Sequence, residues 1–259
     1  MGAWDSYEAR VGIRGSNRRE IVLRREQYFI RRKLESGHLS YHHVMINGED
    51  RDVAIMNTDN FEIKTIISMP GENIRGGSIV EWMGHRWLIT SKDYNTEVYT
   101  KCTMTQCNYL VRWIAEDRSI VERWCVIEDG TKYLTGETVS QYNENGMSLG
   151  DTRISMSLPR DEYSLQLNRD HRFLIDDYDS KTVLAYRLTK PFKIGGVYGN
   201  EGAMTFVLTE VNTEDDDNFE LHIADYYKYF PRTDNVVAQE SEHISEPENK
   251  SEGGKKVWL

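Results

Sequence analysis

The chain has 259 residues, of which 39% are hydrophobic, 11% aromatic and 29% charged, and its formal net charge is −10. This length is enough for two domains with separate cores, and the acidity argues against a general nucleic-acid-binding protein, which usually carries a basic face. The charge is uneven, because residues 1–35 hold nine Arg/Lys against five Asp/Glu and residues 212–259 hold five against twelve. A basic start and an acidic end suggest different neighbours at the two ends.

Targeting and redox signals are sparse. No stretch approaches the roughly 20 apolar residues of a membrane-spanning helix, and the first residues lack the basic and apolar regions of a signal peptide. The three cysteines, Cys102, Cys107 and Cys125, are an odd number without zinc-ligand spacing. We therefore expect no contact with a membrane and reduced thiols in a protein made in the cytoplasm.

The first predicted element is a basic helix. Asn17, with Glu20 three residues later, forms an N-terminal capping signal, and the sequence predicts a helix from Arg18 to Glu35 that ends at Gly37. Its basic residues are predicted to contact a partner, either an acidic protein or packaged DNA: Arg18, Arg19, Arg24, Arg25, Arg31, Arg32 and Lys33. Arg outnumbers Lys here, and Arg suits bidentate interface pairing. The alternative is an ordinary solvated helix face with local ion pairs. Residues 1–39 form this arm and helix.

After the helix the apolar period changes from about 3.6 to about 2, as in β-strands. Asn47-Gly48 is a strong hairpin signal, and a second turn is predicted at Met83-Gly84. Further strands are predicted over 63–69, 107–115, 120–128, 132–134 and 153–158. Many short strands without alternating helices predict an antiparallel β-barrel over residues 40–158.

A new series of predicted strands and turns begins after Pro159. Strands are predicted over 164–167, 172–175, 182–188, 204–211 and 219–223, with turns at 176–179 and 195–202. This density of strands predicts a small immunoglobulin-like β-sandwich over residues 159–232. The complete fold prediction is mainly β: an N-terminal helix, a barrel, a sandwich and a flexible acidic tail.

Residues 233–259 make up the tail, which is polar and acidic enough to be disordered in isolation. It ends in an apolar tip, Val257, Trp258 and Leu259. The tip is a predicted partner contact, and the alternative is a simply mobile terminus.

Motifs that carry chemistry are missing from the sequence. It contains no nucleophile elbow, phosphate-binding loop or zinc-protease motif. The acidic runs at 176–179 and 214–217 have carboxylates of the kind that bind calcium, but they lack the spacing of an EF-hand loop, and acidic turns are usually solvated. We therefore predict no catalytic residue, no metal and no cofactor, hence a protein that is not an enzyme.

Several strings resemble known phage proteins. Residues 77–89, GSIVEWMGHRWLI, resemble the opening barrel strands of bacteriophage head-closure (stopper) proteins. Residues 106–114 and 124–133 look like phage head–tail connectors. The segment from Phe173 through Tyr227 is similar to the C-terminal, immunoglobulin-like domain of the same group. Head-closure proteins are typically smaller, so the additional domain and tail are departures from the family.

The resemblance implies a virion protein at the head–tail junction. Its copies would form a homo-oligomeric ring between a portal or adaptor protein and a tail terminator or other tail protein, with packaged DNA passing through the channel without specific binding. One alternative is a tail or capsid-surface protein that recognises host carbohydrate through Tyr226, Tyr227 and Tyr229. Another is a wall-degrading hydrolase.

Overall fold

The computed structural model describes residues 17–37, 41–94, 97–129, 153–176, 183–192 and 197–231. It is mainly β with an N-terminal helix, which confirms the predicted fold class. The elements in chain order are α1 (Arg18–Ser36), β1 (Tyr41–Ile46), β2 (Glu49–Asn57), β3 (Ile63–Ser68), β4 (Ile79–Trp82), β5 (His85–Asp93), β6 (Lys101–Gln106), β7 (Tyr109–Ile114), β8 (Ile120–Asp129), β9 (Arg153–Pro159), α2 (Glu162–Gln166), β10 (Arg172–Asp176), β11 (Val183–Phe192), β12 (Val197–Tyr198), β13 (Glu201–Val211) and α3 (Tyr226–Tyr229).

The helix α1 begins and ends where its capping residues predict. The Asn17 side chain accepts a hydrogen bond from the Glu20 backbone N–H at 3.0 Å, and Gly37 donates its N–H to the Leu34 carbonyl. These bonds satisfy backbone groups that a helix end leaves unpaired. No residue of α1, all of which the structure describes, is buried, so the helix lies on the surface.

Strands β1 to β6 form a closed antiparallel barrel in the order β1-β2-β3-β6-β5-β4, with β4 pairing β1. Side chains alternate between the interior and the surface, and Ile66, Val80, Ile89 and Met104 are fully buried inside. The predicted two-residue turn at Asn47-Gly48 is present, with positive φ at both residues. The barrel prediction is confirmed, although β6 was not predicted because its threonines weaken the apolar pattern.

The second unit is one curled sheet of seven strands in the order β10-β11-β13-β9-β8-β7, with β12 paired to β13. Its outer strands approach each other, and the Asp176 backbone N–H donates to the Tyr109 hydroxyl at 3.0 Å. The sheet is therefore a nearly closed, barrel-like structure around Trp113, Phe173 and Phe206. The immunoglobulin-like part of the prediction is not confirmed.

The sheet pairing corrects the position of three strands. The sequence prediction placed residues 40–158 in the barrel, but the change of sheet falls at 107–108, and β7, β8 and β9 pair in the second sheet. The reason is that the inward side chains of these strands, including Val111 and Met156, pack into the second core. Alternation along a strand shows which residues point inward, but not toward which core.

Two predicted strands are not strands. Residues 164–167 lie in and after α2, because Asp161 caps this helix: its carboxylate accepts from the Ser164 N–H at 2.7 Å, and Ser164 Oγ accepts from the Asp161 N–H at 2.9 Å. Residues 219–223 form turns and one isolated bridge, because the Asn218 side chain accepts from the N–H groups of Glu220 and Leu221, both at 3.0 Å. In both places a side chain competes with strand pairing.

The barrel and the second sheet share a tight contact. Leu88 and Cys107 from the barrel side form a buried cluster with Val126 and Ala203. At the edge of this cluster Gly202 donates its N–H to the Gly76 carbonyl at 3.0 Å. Lys92 Nζ lies 3.1 Å from Glu201 Oε2, and both side chains are mostly shielded from solvent. The two units are thus joined by apolar packing, backbone hydrogen bonds and an ion pair.

Several predictions lie outside the described residues. They are the arm before residue 17, the strand at 132–134, most of the turn at 176–179 and the tail from 233 to 259.

Candidate interaction surface

The predicted contact helix divides into a covered face and an outward face. Successive residues of an α-helix are about 100° apart. Five of the six residues of α1 with intermediate exposure follow one stripe: Glu20, Leu23, Gln27, Ile30 and Leu34. That stripe faces the rest of the protein, because Arg31, which lies next to the stripe on the helix, donates a hydrogen bond to the Pro70 carbonyl at 3.4 Å. The opposite side of α1 is open to solvent.

Three of the predicted basic residues are used within the chain. Arg19 pairs with Glu97, Arg24 pairs with Glu20 at 2.5 Å one helical turn away, and Arg31 contacts Pro70. These contacts attach α1 to loops of the barrel and stabilise the helix itself. Because the partners are at or near the surface, each ion pair contributes little to stability.

The other arginines form a line along the outward side of α1. Arg18, Arg25 and Arg32 recur every seven residues, close to two helical turns, and all three are exposed. Within the parts of the chain that the structure describes, none of them forms an ion pair or side-chain hydrogen bond. Lys33 is also exposed. The seven basic residues, which the sequence predicts as one contact set, thus divide into residues used within the chain and residues that face solvent.

Apolar side chains flank this arginine line. Val22 is 53% exposed, Tyr28 61% and Phe29 65%. Val22 and Phe29 lie on one side of the arginines and Tyr28 on the other, as the helical spacing requires. We call Arg18, Val22, Arg25, Tyr28, Phe29 and Arg32 the outer face of α1. It combines guanidinium groups with exposed aromatic rings, the residue types that are enriched in protein interfaces.

The remaining predicted contact residues, Val257, Trp258 and Leu259, lie outside the described residues.

A second exposed surface, missed by the sequence analysis, lies on the segment after β13. Residues 212–225 hold six Asp/Glu and no Lys/Arg, and Phe219 and Leu221 are 46% and 37% exposed among them. We call Glu214, Asp215, Phe219, Glu220 and Leu221 the C-terminal patch. The sequence signal was present in the acidic run at 214–217, which was considered only as a calcium ligand.

A buried ion pair holds this patch in place. Arg172 on β10 makes two hydrogen bonds to the Asp217 carboxylate, at 2.9 and 2.8 Å, and a third to Asp225 at 2.9 Å. The Asp217 side chain is fully buried, and it also accepts backbone N–H bonds from Glu214 and Asp225. Asp217 is therefore committed to structure rather than to a calcium ion, and the loop around it is fixed.

The tyrosines of the carbohydrate alternative pack largely against one another. Tyr226 lies edge-on to Tyr227, with ring centroids 5.3 Å apart, and its ring is 5.0 Å from that of Phe230. Tyr226 and Tyr227 are half-buried, and Tyr229 is 44% exposed. Of the three tyrosines, these contacts leave one exposed ring rather than a row of stacking platforms.

The cysteines are structural. All three are free and buried. Burial raises the pKa of Cys102 and Cys107 to about 12 and also raises the pKa of Cys125. Thiols in this environment are poor nucleophiles, because the thiolate is the reactive form.

Neither a metal cluster nor a membrane-spanning helix is found among the described residues. No three His, Cys, Asp or Glu side chains there are grouped so as to hold a metal ion. No helix there is long and apolar enough to cross a membrane.

The first part of the chain matches a known protein family. Residues 14–106 match the family described as the YomX N-terminal domain, which is phage-associated. The match indicates a phage protein. It begins just before α1 and ends at the last residue of β6, so the helix and the barrel together correspond to the matched domain. No curated protein and no solved structure is significantly similar to the chain.

Proposed function

We propose that this protein is a non-enzymatic structural component of the phage neck, where copies form a ring that closes the filled head and joins it to the tail. The observation that carries the proposal is the outer face of α1, an interaction surface on a helix-and-barrel unit that is similar to a phage-associated domain. A protein whose function is to bind neighbours needs such surfaces and a rigid body to present them.

The rigid body is the joined pair of β units. Closed and nearly closed sheets leave few exposed strand edges, and the shared cluster at Leu88 with the Lys92–Glu201 pair fixes one unit against the other. A component that bears load between head and tail benefits from this stiffness.

The charge distribution fits the same role. A net charge of −10 would repel DNA phosphates from a channel wall and let the genome pass without sticking. A ring also requires two unlike surfaces on each copy, since head-to-tail contacts close by rotation. The basic outer face of α1 and the acidic C-terminal patch are unlike surfaces of this kind. The proposed neighbours are a portal or adaptor protein on one side and a tail protein on the other.

Electron microscopy of particles from a phage whose gene carries an early stop codon tests the proposal. We expect tailless or DNA-leaking heads together with finished free tails, because the head would be neither sealed nor connected. Complete virions of normal appearance would overturn the neck assignment. If such virions also adsorbed poorly, the surface-binding alternative would replace it. A parallel sample with the stop codon suppressed is the control.

A further inference from the structure

We infer that the outer face of α1 on one copy of this protein docks on the C-terminal patch of the next copy. The inference rests on the proposed function, since it identifies the two surfaces that would close the ring. Both surfaces are exposed in the single chain, and each combines charge with apolar side chains.

The charges of the two surfaces are complementary. Arg18, Arg25 and Arg32 form a line of three outward guanidinium groups on α1. On the patch, Arg172 engages Asp217, Asp225 and, at 3.4 Å, Glu214. Glu214 also pairs with Lys228 at 3.2 Å, and the side chains of Asp215 and Glu220 are exposed, so acidic residues outnumber the two cations. Opposite charges across an interface set its register and exclude wrong partners, and Arg forms bidentate pairs with carboxylates.

The apolar side chains indicate a protein occupant rather than DNA. Val22, Tyr28 and Phe29 are each more than half exposed, and DNA phosphates would satisfy only the arginines between them. Phe219 and Leu221 offer the apolar contacts that these side chains lack. Aromatic and arginine side chains are the ones that carry most binding energy in protein interfaces.

The two surfaces are positioned for contact between copies. Within one chain α1 contacts the barrel, through Pro70 and Glu97, whereas the patch is attached to the second sheet through Arg172 and Arg112, which donates to the Leu221 carbonyl at 3.2 Å. Each copy therefore presents both halves of a head-to-tail contact. The Arg172 network fixes the patch before docking, which lowers the entropy cost of binding.

Charge reversal in the full-length protein tests the contact. Phage carrying Arg25→Glu with Arg32→Glu should incorporate at least about tenfold fewer copies into particles, since like charges would face each other across the interface. Asp215→Arg with Glu220→Arg should have the same effect. All four substitutions in one chain should restore incorporation, because the attraction is re-formed with its sign exchanged. The control for the arginine variant is Arg75→Glu with Lys101→Glu, which makes the same charge change on exposed barrel residues outside both surfaces.

Cysteine crosslinking tests the same contact directly. Phe29→Cys with Leu221→Cys in one chain should give a ladder of oligomers when assembled particles are mildly oxidised, and each single substitution should not. The native thiols are buried and should not interfere.

Three outcomes would contradict these expectations. If the chain with all four charge substitutions is not incorporated and no ladder forms, although the wild-type protein is present in particles, the contact is wrong and the neck assignment stands. Absence of the wild-type protein from particles would instead refute the proposed function. Duplex DNA binding that depends on Arg25 and Arg32, with incorporation unchanged, would also overturn the contact.

Discussion

A Cβ atom on Gly77 would lie 2.0 Å from the carbonyl oxygen of Gly202, so the barrel and the second sheet meet at a point that admits no side chain. Two hydrogen bonds lie at the same contact. The Gly202 N–H donates to the Gly76 carbonyl at 3.0 Å, and the Gly76 N–H donates to the Glu201 carboxylate at 3.3 Å. This glycine is required by packing as well as by its φ of +78°.

We therefore predict that Gly77→Ala destabilises the protein far more than Gly84→Ala. Gly84 has the same φ of +78° and open space around its Cβ position, so it is a matched control for backbone strain, which costs about 1–2 kcal/mol. Forcing a methyl group against the Gly202 backbone should add about 1–3 kcal/mol or more. Urea denaturation of both variants measures the difference. Equal losses would mean that the contact between the two units relaxes at no cost.

A second prediction concerns the ion pair beneath the C-terminal patch. Asp217→Asn should lower the free energy of unfolding by about 3–5 kcal/mol, because it leaves the Arg172 charge buried without its main partner. The two side chains are 7% and 0% exposed. The control is Asp170→Asn, which breaks an exposed pair with Arg187 and should cost no more than about 1 kcal/mol.

Thermal unfolding and hydrogen exchange distinguish the two variants. Exchange should increase around residues 212–225 in the Asp217 variant, because the N–H groups of Glu214 and Asp225 lose an ionised acceptor. An Asp217→Asn protein as stable as the wild type would show that the network is dispensable for the fold.

The parts of this fold that the sequence predicts are the local ones. Asn17 caps α1 and Asn47-Gly48 turns the first hairpin because each signal acts over a few residues. The pairing of β1 with β4 closes the barrel between strands more than thirty residues apart, and no local pattern specifies it. For the same reason the strand predicted over 107–115 was assigned to the barrel, although the residues of β7 pack in the second core.

The candidate interaction surface follows the same rule: its local part on α1 was predicted, and its long-range part was not. The seven-residue spacing of Arg18, Arg25 and Arg32 is visible in the sequence, and it separates the outward arginines from those used within the chain. The complementary patch was missed because its geometry depends on Arg172 and Asp217, which are 45 residues apart. Only the fold reveals that one acidic residue of the run is buried while its neighbours remain exposed.

A third prediction concerns the thiols. The folded protein should react with a maleimide or a disulfide reagent at none of Cys102, Cys107 and Cys125, because all three are buried and burial raises the pKa of each. In denaturant all three should react at the rate of a small thiol. Mass spectrometry after timed labelling counts the modified residues. Rapid modification of one cysteine in the folded state would show that its surroundings open readily.

The last prediction is a loss of stability in acid that depends on His171. This side chain lies next to Phe173, with ring centroids 5.0 Å apart, and burial lowers its pKa from 6.5 to about 4 despite the nearby Asp225. The unfolded chain therefore binds a proton at higher pH than the folded protein does. The stability associated with neutral His171 is complete above pH 6.5 and falls as the pH drops toward 4, by about 3 kcal/mol in total.

His171→Gln should remove this part of the pH dependence, although it changes stability at pH 7 as well. The informative quantity is the slope of unfolding free energy against pH between about 6.5 and 4, measured by urea denaturation. His43→Gln is the control for the opposite direction of the pH effect, because the hydrogen bond that His43 donates to the Asp52 carboxylate raises the pKa of His43. His43 is exposed, so it contributes a small stabilisation at low pH that is lost as the pH rises. An unchanged slope in the His171 variant would show that the folded protein accommodates an imidazolium beside Phe173, and acid sensitivity would then have to come from the carboxylates.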